Sequence, residues 1–264
     1  MSENDVDRSS AEDDLSNHDL DIREPPRVLI PVEVLEGESI SESLVEFLAP
    51  SAVILVGYHV LPEQTPTEQA SMQYEDKARQ AIDDIAEIFR DAERDVETRV
   101  VFTHDRDRSI DRVATEVGAT AILLPNPSGE IRDVVVPLRG SIDIGRLADL
   151  VATLLVGQAG NVTLWGLVEG ESEFDAESAV DCARNLLIDR GLPAEQITTE
   201  TTIVDSPIWD IVDRSDEFDL IVMGEGGPSL LTSLFGDPAE RVAEGAVAPV
   251  IVVREGHEEN EHVD

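Results

Sequence analysis

The sequence predicts an α/β protein made of two tandem parallel-sheet domains with helices on both faces of each sheet. Short apolar segments typical of buried strands alternate with segments whose apolar residues have helical spacing. The order of these segments begins again after about 105 residues, which indicates two copies of one βα domain. The segment VLIPVEV at 28–34 corresponds to VVVPLRG at 134–140.

The predicted elements follow one another in the same order in both copies. Dense runs of β-branched and aliphatic residues predict strands at 27–34, 52–61, 95–103, 119–125, 133–140, 161–169, 196–204, 218–224 and 248–255. One-sided apolar spacing predicts helices at 41–48, 74–89, 109–118, 142–155, 174–190 and 206–215, and another that begins at Pro238. Trp165 and Trp209 are expected in the core, and Asp111 is expected to be a solvated helix residue.

The first copy is degenerate. After the strand at 119–125 the chain enters the next buried strand at once, so this copy lacks its last helix and last strand. We therefore expect an acidic, disordered tail at 1–26, a degenerate domain at 27–130, a full domain at 131–255 and a second acidic tail at 256–264. An uncovered apolar strand edge invites aggregation, so residues 119–125 are expected to be covered by the second copy.

Acidic residues dominate the composition. The chain has 57 acidic and 19 basic residues, a net charge of −38, and a single lysine, Lys77. Molar salt shortens the Debye length to about 3 Å and removes most of the resulting repulsion. The acidity therefore predicts a cytoplasmic protein of a salt-accumulating halophile, with a merely acidic mesophilic protein as the alternative. DNA, RNA and anionic membranes require a basic face and are not expected as partners.

Other residue types predict neither a metal centre nor export. Cys182 is the only cysteine, so no intrachain disulfide forms and no cysteine cluster binds metal. No two histidines have the spacing of metal ligands. The N-terminal segment lacks the pattern of a signal peptide, and no apolar run reaches the roughly 18 residues that a membrane span needs.

Several motifs, which follow one another along the chain in a characteristic order, make it resemble the universal stress protein family in its tandem form. They are a strand ending in Val-Pro-Leu, a strand ending in Leu-Val-Glu, a strand ending in Val-Met-Gly, a glycine loop, the helix start PAERV and the closing strand APVIVVR. The resemblance implies flavodoxin-like (Rossmann-like) parallel sheets of five strands. It also implies either ATP binding at the ends of the first and fourth strands, or function by association without a nucleotide.

The glycine loop GEGGPSLLTSLFGDPAERV at 224–242 departs from the ATP-binding pattern of that family. Gly224 and Gly227 keep the first spacing, but Gly236 comes one residue early and Asp237 follows it in place of Ser or Thr. At about 5 Å and an effective dielectric near 20, such a carboxylate costs about 3 kcal/mol against a phosphate charge. Arg139 stands where the ATP-binding members carry an aspartate, and could partly offset Asp237. The candidate nucleotide site comprises Pro137, Arg139, Leu167, Gly224, Gly227, Gly236 and Asp237.

The sequence favours a non-catalytic protein that acts by association in a stress response, without a required cofactor. The alternative is a regulator that binds ATP or AMP in the second domain. In the family the last strand of one domain pairs with the last strand of another domain. The first copy here lacks that strand, so it cannot supply the partner. The sequence therefore predicts a homodimer through residues 248–255, with Val250, Ile251, Val252 and Val253 at the interface.

Overall fold

The computed structural model describes residues 22, 25–36, 40–91, 96–126, 128–140, 142–170, 174–225 and 248–254. Its strands are β1 (Arg27–Glu33), β2 (Ala52–Val60), β3 (Val96–Thr103), β4 (Ala121–Leu124), β5 (Asp133–Leu138), β6 (Asn161–Glu169), β7 (Ile197–Val204), β8 (Leu220–Gly224) and β9 (Val250–Val253). Its α-helices are α1 (Glu42–Leu48), α2 (Thr67–Asp91), α3 (Arg106–Glu116), α4 (Ile144–Leu155), α5 (Ala176–Asp189) and α6 (Pro207–Asp213). The predicted helix from Pro238 and the tail residues 1–21, 23–24 and 255–264 lie outside the described residues.

The described strands form one open sheet in the order β3-β2-β1-β4-β9-β8-β5-β6-β7. Neighbouring strands are parallel throughout, except at the β4–β9 pair in the middle. The predicted α/β class and parallel pairing are confirmed, and the two copies share a single sheet. The division into two domains at residue 130 stays a prediction.

The β4–β9 pair joins the two halves of the chain, residues 27–130 and 131–255. Ala121 lies opposite Val253 and Leu124 opposite Val250 in an antiparallel ladder. The prediction that the second half covers the β4 edge is confirmed.

The same ladder overturns the prediction that residues 248–255 are left to pair with another chain. Strand β9 has β8 on one side and β4 on the other, so both of its edges are occupied. Val250, Ile251, Val252 and Val253 are all buried within the chain. The prediction was wrong because β4, whose own copy lacks a fifth strand, takes the place expected for a second molecule.

The helices divide between the two faces of the sheet. Helices α1, α2, α4 and α5 pack on one face, where a continuous apolar core contains Leu44, Ile82, Val151 and Ile251 from both halves. On the other face α3 covers part of the first half and α6 part of the second, each over a smaller core. The larger core therefore helps the β4–β9 pair to hold the two halves together.

Two features of the helices differ from expectation. Helix α2 begins at Thr67 rather than at residue 74, because the small Ala70 is the one buried residue described in its first two turns and gives only a weak apolar signal. Trp165 is buried as predicted, but Trp209 is 57% exposed. Pro207 and Ile211 are the buried residues of α6, and their i,i+4 spacing turns Trp209 toward solvent.

Candidate functional site

The candidate site lies where β5 separates from β8. Only Val134 and Val135 of β5 pair with β8, opposite Leu220 and Ile221, whereas β5 pairs with β6 over its whole length. The order of the strands reverses here, since β6 follows β5 in sequence on one side and β8 lies on the other. In open parallel sheets, ligands bind at the carboxyl ends of the strands at such a switch point.

Pro137 helps to create this separation. It is buried near the end of β5 and lies opposite Trp165 of β6. Proline has no backbone N–H to donate to a neighbouring strand, which is consistent with the end of the β5–β8 ladder before residue 137. Pro31 occupies the equivalent position in β1, whose ladder with β4 also includes only two pairs. Pro137 thus shapes the site through its backbone.

Leu167 belongs to the core rather than to an open crevice. Its side chain is buried in a cluster with Trp165, Ile221 and Met223 under α6. The structure therefore gives Leu167 a packing role.

Gly224 is accounted for by close packing. A Cβ atom at this position would lie 2.7 Å from Cγ2 of Ile142, which follows β5. Contacts below about 3 Å do not occur between well-packed carbon atoms, so a side chain at position 224 would force Ile142 to shift. Close packing thus gives the first glycine of the loop a role, whether or not a ligand binds beside it.

Arg139 is the site residue whose chemistry suits an anion. It follows β5 directly and is half-buried. Within the described parts of the chain, no carboxylate pairs with its guanidinium, although the protein has 57 acidic residues. An arginine with free donors at the end of a central strand can bind a carboxylate or a phosphate.

The helix beside Arg139 is less favourable to an anion. Helix α4 has Asp143 as its N-cap, and the Asp143 carboxylate accepts the Arg146 N–H at 3.0 Å. That carboxylate uses an N–H donor at the helix N-terminus and adds a negative charge. Arg139 and Asp143 therefore act in opposite directions on a bound phosphate.

The remaining predicted residues of the site, Gly227, Gly236 and Asp237, lie outside the described residues. Of the site residues that are described, the structure brings Pro137 and Arg139 to the end of β5 and places Gly224 at the end of β8. The described part of the chain contains no group of three or more His, Cys, Asp and Glu side chains placed to hold a metal ion.

Arg254 is a residue that sequence reasoning missed. It is only 7% exposed, and its Nη2 donates to Asp111 Oδ1 at 2.5 Å and to Thr115 Oγ1 at 3.2 Å. Its N–H donates to the Thr120 carbonyl, and its own carbonyl accepts from Arg146 Nη1. Asp111, expected to be solvated, is thus paired. Nothing in the local pattern signals a contact between residues 143 positions apart.

A buried ion pair supports the helices behind the site. Arg190, at the C-cap of α5, donates through Nε to Asp149 Oδ1 on α4 at 2.5 Å, and both side chains are almost fully buried. Arg190 also donates to the carbonyls of Leu186 and Gly145. The sequence did carry a signal here, because Asp149 is flanked on both sides by the apolar residues Leu147, Ala148, Leu150 and Val151.

Comparisons with known proteins agree with this fold. The model of the universal stress protein family matches residues 154–254. A universal stress protein from Archaeoglobus fulgidus DSM 4304 superposes with a TM-score of 0.58 at 14% identity, over 88% of this chain and 97% of that one. No curated protein sequence matches the chain.

Two further solved structures are similar over different lengths. A protein of Pseudomonas aeruginosa UCBPP-PA14 described as a universal stress protein has a TM-score of 0.47 at 13% identity, over 87% of this chain and 93% of that one. A universal stress protein in complex with cAMP has a TM-score of 0.36 at 21% identity, over 47% of this chain and 96% of that one. In the described residues no helix is long and apolar enough to cross a membrane.

Proposed function

We propose that this chain acts by association and without a catalytic step. The premise is that it belongs to the universal stress protein family, whose model matches residues 154–254. The setting that we propose is the stress response of a salt-accumulating cell, in its cytoplasm.

The close approach of Gly224 and Ile142 carries the proposal. A glycine loop suggests a phosphate cradle only when its glycines have no other reason to be there. Here a Cβ atom at position 224 would lie 2.7 Å from Cγ2 of Ile142, which gives Gly224 a structural reason. Pro137 and Leu167 also have roles in the sheet and the core. These packing roles favour a retained fold over a retained nucleotide site.

The charge supports the proposed setting. The chain carries three times as many acidic as basic residues, 57 against 19. Multimolar salt screens their repulsion in solution and strengthens apolar association. A protein with this surface is suited to protein partners in concentrated salt and unsuited to nucleic acids.

The second candidate is a regulator that binds ATP or AMP at the end of β5, and Arg139 favours it. Its half-buried guanidinium has no partner among the residues that are described, so it can receive an anion without breaking an existing pair. Asp143 opposes the same anion, and the sequence predicts the same effect for Asp237.

Isothermal titration with ATP, AMP and cyclic AMP in multimolar KCl separates the two candidates. Association without a nucleotide predicts no binding at concentrations up to about 1 mM, which corresponds to about 4 kcal/mol of binding free energy. Micromolar binding that Arg139→Gln weakens at least tenfold would establish the second candidate. Arg108→Gln is the matched control, because Arg108 is exposed on α3 in the other half.

If a nucleotide does bind, the Asp237→Ser variant tests the electrostatic argument. Removal of the carboxylate is expected to strengthen binding of ATP, since a like charge beside the phosphate is lost. Weaker binding of ATP by this variant would contradict the charge argument.

A further inference from the structure

The two outer strands of the described sheet are β3 and β7. Strand β7 begins Ile-Thr-Thr-Glu-Thr-Thr-Ile at residues 197–203, a sequence that reads the same in both directions around Glu200. Apart from Glu200, every residue of β7 is β-branched, as suits an extended strand. Among the described strands, β7 pairs only with β6.

Most side chains of β7 are open to solvent, whereas Ile197 and Val204 at its two ends are buried. Thr198, Thr199, Thr201 and Thr202 are exposed, and Ile203 is 79% exposed. Edge strands of monomers are commonly protected by lysine, proline or a bulge, and β7 contains no lysine or proline. An exposed, β-branched strand edge of this kind is a template for another strand.

The one charge on β7 is held by an arginine. Arg214 Nη1 donates to Glu200 Oε1 at 2.6 Å, and the Arg214 guanidinium lies 4.3 Å from the ring centroid of Trp165. Arg214 also pairs with Glu217, so this arginine is shared between two carboxylates. Within residues 197–204, Glu200 is therefore the single charged residue that a second copy would meet, and it is ion-paired.

The opposite edge of the sheet is different. Strand β3 reads VETRVVFT, which is not palindromic, and it carries Glu97 and Arg99. These charges pair with each other, and Glu97 also pairs with Arg27 of β1. Of the residues of β3 only Arg99 is exposed, so this edge lacks the row of exposed β-branched side chains found on β7.

We propose that two copies of this chain associate through β7, antiparallel, across a two-fold axis at Glu200. In this register Thr198 lies opposite Thr202 of the second copy, Thr199 opposite Thr201, and Ile197 opposite Ile203. Thr–Thr and aliphatic cross-strand pairs stabilise a sheet, and the exposed Ile203 gains an apolar partner. The two Glu200 carboxylates meet at the axis, each ion-paired with the Arg214 of its own copy.

A palindromic strand favours a second copy over other partners. In antiparallel pairing across a two-fold axis, residues that are equally far from the axis on its two sides lie opposite each other. A palindromic strand therefore places identical residues opposite each other. The sheet then continues through both molecules by strand addition. This inference rests on the proposed function, since it names the partner of the association.

Light scattering of the full chain in multimolar KCl is the first test. The expected mass at micromolar concentration is that of two chains of 28.8 kDa each. The mass of one chain would overturn the proposal. The nucleotide titration is independent of this result, so failure of the β7 contact and failure of the non-nucleotide function are distinguishable.

Disulfide trapping tests the axis itself. Cys182 is exposed, so Cys182→Ser provides a background without thiols. In that background Glu200→Cys places two thiols on the axis, where directly opposed Cβ atoms lie about 4.5–5.5 Å apart. The variant is expected to run mostly at twice the chain mass on a non-reducing gel, and at the single mass after reduction.

Thr198→Cys in the same background is the matched control, since it also exposes a thiol on β7. In the proposed register its two thiols are four residues out of alignment, about 13 Å apart, and are not expected to cross-link. Cross-linking of the Thr198→Cys chain as readily as of the Glu200→Cys chain would overturn the register. A failure of both chains to cross-link would overturn the β7 contact.

Discussion

Arg254, at the end of β9, pairs with Asp111 of α3 and so ties the second half of the chain to a helix of the first. Arg254 is buried, whereas the Asp111 side chain is 58% exposed. Asp111→Asn is expected to lower the free energy of unfolding by about 1–2 kcal/mol, less than for a fully buried pair because solvent screens the exposed carboxylate. Urea denaturation in multimolar KCl measures the difference.

Glu116→Gln is the control for the Arg254–Asp111 pair. Glu116 lies on the same helix and pairs with Arg112, but both side chains are more than half exposed. The control is expected to change the stability by less than about 0.5 kcal/mol. Equal effects of the two variants would contradict a linking role for Asp111.

Asp149→Asn is expected to be more damaging than Asp111→Asn. Both partners of the Asp149–Arg190 pair are almost fully buried, so the variant leaves a desolvated guanidinium without its counter-charge. Breaking such a pair costs about 3–5 kcal/mol. The loss should also persist in multimolar KCl, since buried charges are screened weakly. A loss that disappears at high salt would show that solvent reaches the pair.

Gly224→Ala is expected to destabilise the chain by about 1–3 kcal/mol, since the added methyl group overpacks Ile142. In the double variant Gly224→Ala, Ile142→Ala the clashing Cγ2 atom is absent. A double-mutant cycle should therefore give a favourable coupling of at least about 0.5 kcal/mol. Additive effects would mean that Gly224 is needed for a reason other than this contact.

A fragment of residues 27–130 is expected to aggregate or to lack a cooperative thermal transition. Removal of the second half uncovers the edge of β4, whose residues are all aliphatic. It also exposes the apolar core that the two halves share. Circular dichroism and light scattering of the fragment, beside the full chain, measure both properties. A soluble fragment that melts cooperatively would contradict the prediction.

The thermal midpoint of the full chain is expected to rise from low to multimolar KCl. The net charge of −38 opposes compaction until salt screens it. A KCl series with a sucrose control at matched water activity separates screening from general exclusion of solute. Greater stability at low salt would contradict a halophilic surface.

Local pattern was enough to predict most of the sheet. Strand β6 was expected at 161–169 and is found there, because a strand buried on both faces is a continuous apolar run. Helix α5 was expected at 174–190 from its apolar spacing, and it is found at Ala176–Asp189 with Ala179, Val180, Ala183 and Leu187 buried. The first turns of α2, in contrast, contribute the small Ala70 as a buried residue, and Met72 is 84% exposed.

Long-range relationships could not be predicted in the same way. The sequences of β4 and β9 each predict an apolar strand that lacks a neighbour on one side. Nothing in either segment indicates that the two strands are each other's neighbours. At the candidate site, the glycine motif identified Gly224, but the reason for that glycine is a side chain, Ile142, from a distant loop. Spacing rules therefore singled out Gly224, but its contact with Ile142 could not be predicted from them.

The central β4–β9 seam also has a consequence during synthesis of the protein. Strand β4 leaves the ribosome long before β9, and translation of the chain between them takes on the order of 10 s at about 5–20 residues per second. Over that interval the apolar edge of β4 has no permanent neighbour, although the rest of the first half is already complete. A nascent chain in this state is a natural client for a ribosome-associated chaperone. Ribosome profiling of chaperone-bound nascent chains should therefore show engagement that begins after β4 emerges and ends once β9 has been made.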